Sequence, residues 1–526
     1  MIIKMLDKMS SISFPKRIEI LLMHNRNNIK ITLLKLIVGV LTLFFSSSCK
    51  QVKERKPNII FILADDLGWN ELGCYGNTFN ETPNIDQMAN EGMQFKQAYA
   101  AAPVCSPYRA SFLTGQFPAR VGILDYLRPE DEPLSTDHTT IAEILRDNGY
   151  ATAMVGKWHL TGYKLNGSKN EVRATDHGFD EELVTERKGV GNGANFYPYH
   201  FRNDSISWTT VTDKKLEGKE NLTDRITYEG LQFIEKNKDQ PFFLYLSHFA
   251  PHSILNGKPE VVEKYLQKGK KLGKIKRPGT CYLCEDKKLD ASKCTHWASE
   301  NNPHLAAMIE SIDDGVGQIM EKLEELGLAE NTLIVFTSDN GGESFVTTNG
   351  KLRGGKSDLY EGGIREPLII KYPKLVQEKS FSDAFTVNID FYPTFLDIAN
   401  IKGDEKQQLD GFSILPILKG ENKEIKREEF YWHYPLDKPH FLGGSSSGAI
   451  RKGEWKLIEF FEEQKIELYN LSEDEEEEHN LAQKFPEKVK ELHSKLETWR
   501  NDVGAMMYDG QKTVKTNTTE DFNLTK

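Results

Sequence analysis

Three stretches of this chain are apolar enough to demand burial on every side. Asn58–Ala64 (NIIFILA), Pro241–Phe249 (PFFLYLSHF) and Thr332–Thr337 (TLIVFT) carry almost no polar side chain. A strand with one face in water alternates apolar and polar residues. A strand covered on both faces does not, and these runs have strand length. Parallel neighbours of that kind need helical crossovers between them. Thr82–Phe95 reads as a Pro-started amphipathic helix leading into a strand, and Thr139–Asn148 as a helix before the strand Tyr150–Val155. His304–Leu326 places Met308, Ile312, Val316, Ile319 and Leu323 on one helical face. The expected fold is α/β: a large, mixed, mostly parallel sheet sandwiched by helices.

Each buried run breaks off into polar residues. Asp65-Asp66 follow the first, Ala250-Pro251-His252 the second and Ser338-Asp339-Asn340-Gly341 the third. Tyr150–Val155 is followed by Gly156-Lys157-Trp158-His159. In open α/β sheets ligands bind at the carboxyl ends of the strands. Taken singly, each group has a plainer reading: a helix cap, a turn, a surface lysine. His248, inside its run, reads as core packing.

Val104–Gly115 (VCSPYRASFLTG) adds a Cys, a Pro two residues on and an Arg two residues after that. Its SFLTG tail reads as helix, which puts Cys105 at a helix N-terminus, a favourable place for an anion. A lone Cys before a helix is ordinarily a buried structural residue. The whole segment, however, resembles the signature of the formylglycine-dependent type I sulfatases, of the alkaline-phosphatase-like superfamily. The resemblance covers Pro57–Arg500, and its separated motifs fall in order at strand ends. It implies that Cys105 is oxidised to formylglycine (3-oxoalanine) by a formylglycine-generating or anaerobic maturation enzyme that reads Pro107 and Arg109. A hydrated aldehyde carries two hydroxyls on one carbon, one to attack sulfur and one to release sulfate.

The same resemblance implies the remaining roles. Asp65, Asp66, Asp339 and Asn340, with residue 105 itself, would hold the metal, Ca²⁺ first and Mg²⁺ second. Asp339 would be the base for the attacking hydroxyl, and Arg109 would support residue 105 and the metal ligands. Lys157, Lys356 and His252 would stabilise charge on the sulfate and the leaving oxygen, with the leaving-group proton coming from His252 or Lys356. His159 would act on the aldehyde hydroxyl. Lys356 lies in LRGGKSDLYEGGIREP (Leu352–Pro367), where Glu361, Gly362, Gly363 and Arg365 are expected to be structural. His252 departs from the family's His-x-Pro turn, since Ser253-Ile254 follow.

Composition places these motifs in context. The chain has 526 residues, a net charge of −11 and 38% hydrophobic residues, enough for one large and one small domain. The acidic balance argues against nucleic-acid binding. The expected organisation is a signal over 1–49, a tether over 50–56, a catalytic domain over 57–424, a small α+β subdomain over 425–510 and a loose tail over 511–526. The subdomain should hold short antiparallel strands at Phe430–Tyr434, Ser447–Ile450, Trp455–Phe461 and Ile466–Leu468, then a helix over Pro486–Arg500. The acidic run Glu473–Glu478 reads as a solvated loop. Lys30 and Lys35 flank the apolar run Leu36–Phe45, which has export-signal proportions. Cys49 straight after it resembles a bacterial lipoprotein site, giving a lipid-anchored periplasmic or outer-membrane protein; a soluble secreted protein is the alternative. Met23 would make a more ordinary start than Met1.

Residues 255–303 read as an inserted, Lys-rich loop region. Its Cys281-x-x-Cys284, Cys294 and His296 fit either a zinc ion or a disulfide. The implied substrate is a sulfated carbohydrate, an algal polysaccharide such as ulvan or carrageenan, or a glycosaminoglycan. Aromatics in Phe196–Trp208 and Trp432-His433-Tyr434 would line the sugar site or belong to the core. Two other functions remain open at this level. One is a phosphate or phosphonate ester hydrolase of the same superfamily, which often uses Thr or Ser where this chain has Cys105. The other is a non-catalytic glycan-binding lipoprotein, which should have lost metal ligands that this chain keeps.

Overall fold

The computed structural model describes residues 55–128, 131–161, 171–185, 195–199, 208–274, 301–440, 442–508 and 510–511. The export run Leu36–Phe45, Cys49, and Cys281, Cys284, Cys294 and His296 lie outside these residues.

The larger sheet is built from β1 (Asn58–Ala64), β2 (Met93–Tyr99), β3 (Ala151–Gly156), β4 (Glu181–Leu183), β5 (Phe242–Ser247), β6 (Thr332–Ser338), β7 (Arg365–Lys371), β8 (Ser380–Ser382) and β9 (Thr386–Val387). Their order is β4-β3-β5-β1-β6-β7-β2-β8, with β9 also on β2. The three continuous apolar runs are β5, β1 and β6, adjacent in the middle and parallel, with Ile60 of β1 between Leu244 and Ile334. Only β7 runs against its neighbours β6 and β2.

Alternate residues of β1 enter opposite cores, as the twofold period of a strand requires. Ile59, Phe61 and Leu63 join Phe112, Leu113, Phe391 and Phe395 on one face. Ile60, Ile62 and Ala64 join Ile226, Phe233, Ile312, Val316 and Ile319 on the other. The first set comes from the helices Cys105–Thr114 and Phe391–Ala399, the second from Leu222–Lys236 and Pro303–Glu325. Phe61 and Phe112 stack at 4.1 Å, fixing the Cys105 helix beneath β1. Such a pair adds about 0.5–1.5 kcal/mol beyond its buried area.

The strand β7 has no counterpart among the strands read from sequence, because Pro367 sits inside it. A proline cannot donate to a ladder and belongs at edges or bulges. The structure resolves the conflict with an irregularity: β2 pairs Phe95 with Leu368 and Ala98 with Glu366, skipping Pro367.

The second sheet is antiparallel, in the order β10 (Glu429–Tyr434), β11 (Ser447–Lys452), β12 (Trp455–Phe460), β13 (Lys465–Asn470). One face meets the helix Pro486–Val503 through Leu457, Leu468, Leu492 and Leu496. The other meets elements of the larger sheet and its loops: Phe430, Trp432 and Tyr434 pack with Tyr99, Val104, Leu359 and Ile364. Trp432 and Tyr434 are therefore core, not sugar-lining residues, as is Tyr199 in the earlier aromatic stretch.

Two further expectations need correction. The region after residue 255 begins as a helix, Pro259–Leu272, whose Val262 and Tyr265 pack against Ala306 and Ala307. The acidic run is not a solvated loop throughout. Glu477 is fully buried, takes the Glu361 N–H at 2.6 Å and pairs with Lys456 at 2.9 Å. Glu475 pairs with Arg365 and Lys351. These carboxylates meet buried Lys456 and Arg365 and exposed Lys351, contacts between distant segments that a linear sequence does not display.

Candidate active site

The four strands β3, β5, β1 and β6 are neighbours and parallel, so their carboxyl ends lie side by side. That brings together Lys157 and His159 after β3, His252 after β5, Asp65 and Asp66 after β1, and Asp339 and Asn340 after β6. Cys105 is the first residue of its helix and faces the same cluster. Its Sγ lies 3.1 Å from Nδ1 of His159.

Arg109, one helical turn below Cys105, ties the cluster together. Its guanidinium donates to Asp339 Oδ2 at 2.7 Å, Ser247 Oγ at 2.5 Å and the Lys157 carbonyl at 2.9 Å. The remaining cations pair with the aspartates: Lys157 Nζ with Asp65 Oδ2 at 2.5 Å, Lys356 Nζ with Asp66 Oδ2 at 2.7 Å. His252 Nε2 is 3.5 Å from Asp66 Oδ2, and its Nδ1 donates to the Ser253 carbonyl. His248 is buried at the end of β5, as its place in the apolar run implies.

The backbone is held in unusual states at this point. Asp66 and His159 have φ of 66° and 52°, and Ser357, beside Lys356, has 75°. Non-glycine residues occupy this region seldom, and such positions cluster at functional sites. Gly341 lies so close to the Lys356 segment that a Cβ there would be 1.8 Å from the Gly362 carbonyl.

Burial and charge set the protonation states. Burial pushes the Cys105 thiol up to about 11, even against the pull of Lys157 and Lys356. A thiol held protonated is a poor nucleophile as it stands. Burial, then Lys157 and Arg109, hold His159 well below the usual histidine range, so it is neutral beside Cys105. Burial and the neighbouring Asp65 raise Asp339 to about 7. Burial alone would raise Asp66 too, but His252, Lys356 and Lys157 pull it below the ordinary carboxylate range. Burial lowers His252 to about 4 in spite of Asp66.

Three carboxylates packed this closely fit a cation. One atom each from Asp65, Cys105 and Asp339 lies within 4.8 Å of the others, and Asp65, Asp66 and His252 form a second such group. The buried Oδ1 atoms of Asp65 and Asn340 accept no hydrogen bond among the described residues. Asn340 Nδ2 donates to Asp66 Oδ1 at 2.8 Å, which fixes its Oδ1 as the free acceptor. Buried acceptors without donors are costly unless an ion meets them.

Sequence reading did not identify the groups behind this set. Ser247 anchors Arg109, Ser106 Oγ donates to the His159 carbonyl at 2.9 Å, and Ser253 Oγ donates to buried Glu343 at 2.5 Å. None carries a pattern of its own; serines and a lone glutamate acquire meaning only from what the fold sets beside them.

The sulfatase family profile matches residues 57–401. The chain belongs to the sulfatase family. It is a sulfuric ester hydrolase. A second profile, N-sulphoglucosamine sulphohydrolase C-terminal, matches residues 355–502, spanning the antiparallel sheet. A sulfatase of Formosa agariphila is 30% identical over 545 residues, covering 89% of this chain and 93% of that protein. The steryl-sulfatase of Homo sapiens is 30% identical over 479 residues, covering 76% of each. Among solved structures, Ps i-CgsB in complex with k-i-k-neocarrahexaose superposes with a TM-score of 0.70 at 29% identity, covering 87% of this chain and 96% of that one. Its fold, like that of the other sulfatase neighbours, is the alkaline-phosphatase-like one.

Proposed function

We propose that this sulfatase removes sulfate from a sulfated carbohydrate, using a formylglycine made from Cys105 and a divalent cation. The observation that carries the reading is the convergence of Cys105 with Arg109, Lys157, His159, His252, Lys356 and four metal-type oxygens at one sheet edge. The carbohydrate substrate is supported by relatives: an N-acetylglucosamine-6-O-sulfatase of Bacteroides thetaiotaomicron is 28% identical over 534 residues. Ps i-CgsB was crystallised with a neocarrahexaose.

Asp65, Asp66, Asp339 and Asn340 would hold the cation, with Ca²⁺ preferred by the all-oxygen donor set. Together, the cation as Lewis acid and the hydrated aldehyde as nucleophile supply the attack on sulfur and the later release of sulfate. The chain's own residues do the rest. Lys157 and Lys356 bind the sulfate oxygens and offset charge as it builds. Arg109 holds Asp339 in place by a charge-assisted hydrogen bond. Asp339, whose carboxylate lies within 4.8 Å of the residue 105 side chain, takes a proton there. Neutral His159, at 3.1 Å, takes the second proton there. Lys356, held protonated beside Asp66, gives a proton to the leaving sugar oxygen; His252, whose ring proton is on Nδ1 toward the Ser253 carbonyl, presents Nε2 as an acceptor. The export run and Cys49 support a lipid-anchored, exported enzyme that scavenges sulfated glycans.

The deciding measurement is the mass of the peptide spanning Tyr99–Arg109, from protein coexpressed with a formylglycine-generating or anaerobic maturation enzyme. Replacement of the thiol by the aldehyde or its hydrate is expected. A free thiol in active enzyme would overturn the nucleophile.

A further inference from the structure

The loop between β10 and β11 brings one more side chain to the site. His440 is buried, with 6% of its surface exposed. Its own turn sets its orientation: the His440 N–H donates to the Gly444 carbonyl at 3.1 Å and the Gly443 N–H donates back to the His440 carbonyl at 2.9 Å. The Leu442 N–H donates to its Nδ1 at 3.2 Å. An imidazole that accepts at Nδ1 carries its proton on Nε2 when neutral.

Two independent contacts place this ring at the rim of the catalytic cluster. On one side, Gly444 packs against Ser357, the residue after Lys356; a Cβ on Gly444 would lie 2.1 Å from the Ser357 carbonyl. On the other, the His440 ring meets the edge of Tyr126 at 5.5 Å and 86°. Tyr126 precedes Leu127, whose N–H donates to Ser106 Oγ at 3.0 Å, beside Cys105. Arg128 lies over Tyr126 at 4.4 Å and pairs with Asp125 at 2.7 Å, which holds the aromatic ring in place. Tyr434 of β10 donates to Asp125 at 3.2 Å, so the antiparallel sheet braces the same wall. Burial first, and then Lys356, hold His440 down at about 4, with Asp66 opposing, as expected for a ring within reach of those charges.

The position is suited to recognition. The ring is neutral, so it does not compete with Lys157 and Lys356 for the sulfate. It offers one fixed donor, next to one amphipathic aromatic wall. A site built to hydrogen-bond a hydroxyl discriminates strongly against substrates that lack one.

We propose that His440 is a specificity residue: its Nε2–H donates to a hydroxyl or ring oxygen of the sugar that carries the sulfate, with Tyr126 as the adjoining wall. This rests on the sulfated-carbohydrate reading above. The smaller domain thereby contributes a substrate contact and does not merely cover the sheet.

The test uses full-length matured enzyme with two kinds of probe. N-acetylglucosamine 6-sulfate, N-acetylgalactosamine 6-sulfate and carrageenan oligosaccharides are sugar probes; 4-methylumbelliferyl sulfate has no sugar hydroxyl. His440→Ala removes the ring. His440→Asn keeps an acceptor for the Leu442 N–H, an Asx-type turn, yet removes the Nε2 donor. His440→Gln restores a donor at greater reach. For Ala and Asn, kcat/KM on the sugar probe that wild type turns over fastest is expected to fall at least about tenfold, while aryl sulfate turnover stays within about threefold. Gln should recover part of the loss. Equal losses on both probes, or no loss on the sugar, would overturn the assignment. If wild type cleaves the aryl sulfate and none of the sugars, the carbohydrate reading itself falls, and this inference with it.

Discussion

At residue 105 the surroundings disfavour a thiolate. Burial outweighs two lysines and keeps the thiol protonated, while neutral His159 sits within contact distance. The position is built to hold a polar side chain and to receive protons, which a cysteine uses poorly. Cys105→Ala is therefore expected to abolish aryl sulfate hydrolysis, by at least about a thousandfold, without loss of fold; turnover and circular dichroism measured on the same sample decide it. His248 makes a second residue-scale case. Burial alone lowers it to about 3, and His177 and His433, also buried, are held near 4. The unfolded chain binds protons at these rings near pH 6.5 and the folded chain does not. Stability is therefore full above that pH and falls as pH drops toward 3, by about 1.4 kcal/mol per pH unit for each ring still neutral in the fold. Denaturant midpoints across pH 7 to 4 should show a shallower slope in His248→Gln than in wild type. An unchanged slope would remove His248 from the account.

At the scale of elements, the site depends on loops that approach one another as bare backbone. Gly341 and Gly362 meet with no room for a Cβ, and they join the Asp339-Asn340 turn to the Lys356 segment. Gly341→Ala should cost about 1–3 kcal/mol by overpacking and displace Asn340 or Lys356. Its signature is loss of activity beyond what the fall in Tm explains; full activity with wild-type Tm would show that the two loops tolerate separation. Gly156 does the same between β3 and β5, with φ of 103° and the Ser247 carbonyl 1.9 Å from any Cβ. The strands themselves were legible, because β1, β5 and β6 are apolar on both faces. So was the helix after Cys105, which ends on Gly115 at φ 67°. β7 was not, because its proline contradicts strand chemistry unless the neighbouring ladder is irregular.

At the scale of the molecule, the two sheets are joined by a buried ionic cluster. Lys456 of β12, fully buried, pairs with Glu361 and Glu477, each at 2.9 Å; Tyr99 of β2 donates to Glu361 at 2.6 Å. Glu361 lies five residues from Lys356, so the cluster anchors the segment that delivers that lysine. Arg365 also approaches Glu361 at 3.7 Å, but Lys456 is the cation that bridges the two buried carboxylates, and removing it should cost about 3–5 kcal/mol. Lys456→Ala is expected to lower Tm by several degrees in the full chain. A Tm equal to wild type would mean that the contact surface, and not the ion cluster, holds the two sheets together. From the acidic run Glu473–Glu478, Glu477 belongs to this cluster and Glu475 joins it through Arg365.

Sequence alone determined the α/β class, the parallel centre of the sheet, the antiparallel second sheet and the residues that gather at the strand ends. These follow from local rules: a strand buried on both faces has no polar side, and polar residues at its carboxyl end meet at one edge. Only the tertiary structure decided the partners: Lys157 with Asp65, Lys356 with Asp66, Arg109 across Ser247 and Asp339. It also decided that Trp432 and Tyr434 are core, that Glu477 is buried, and that His440 stands beside the Lys356 loop. Those outcomes depend on which distant segments touch, and burial and charge pairing act through space without regard to separation along the chain.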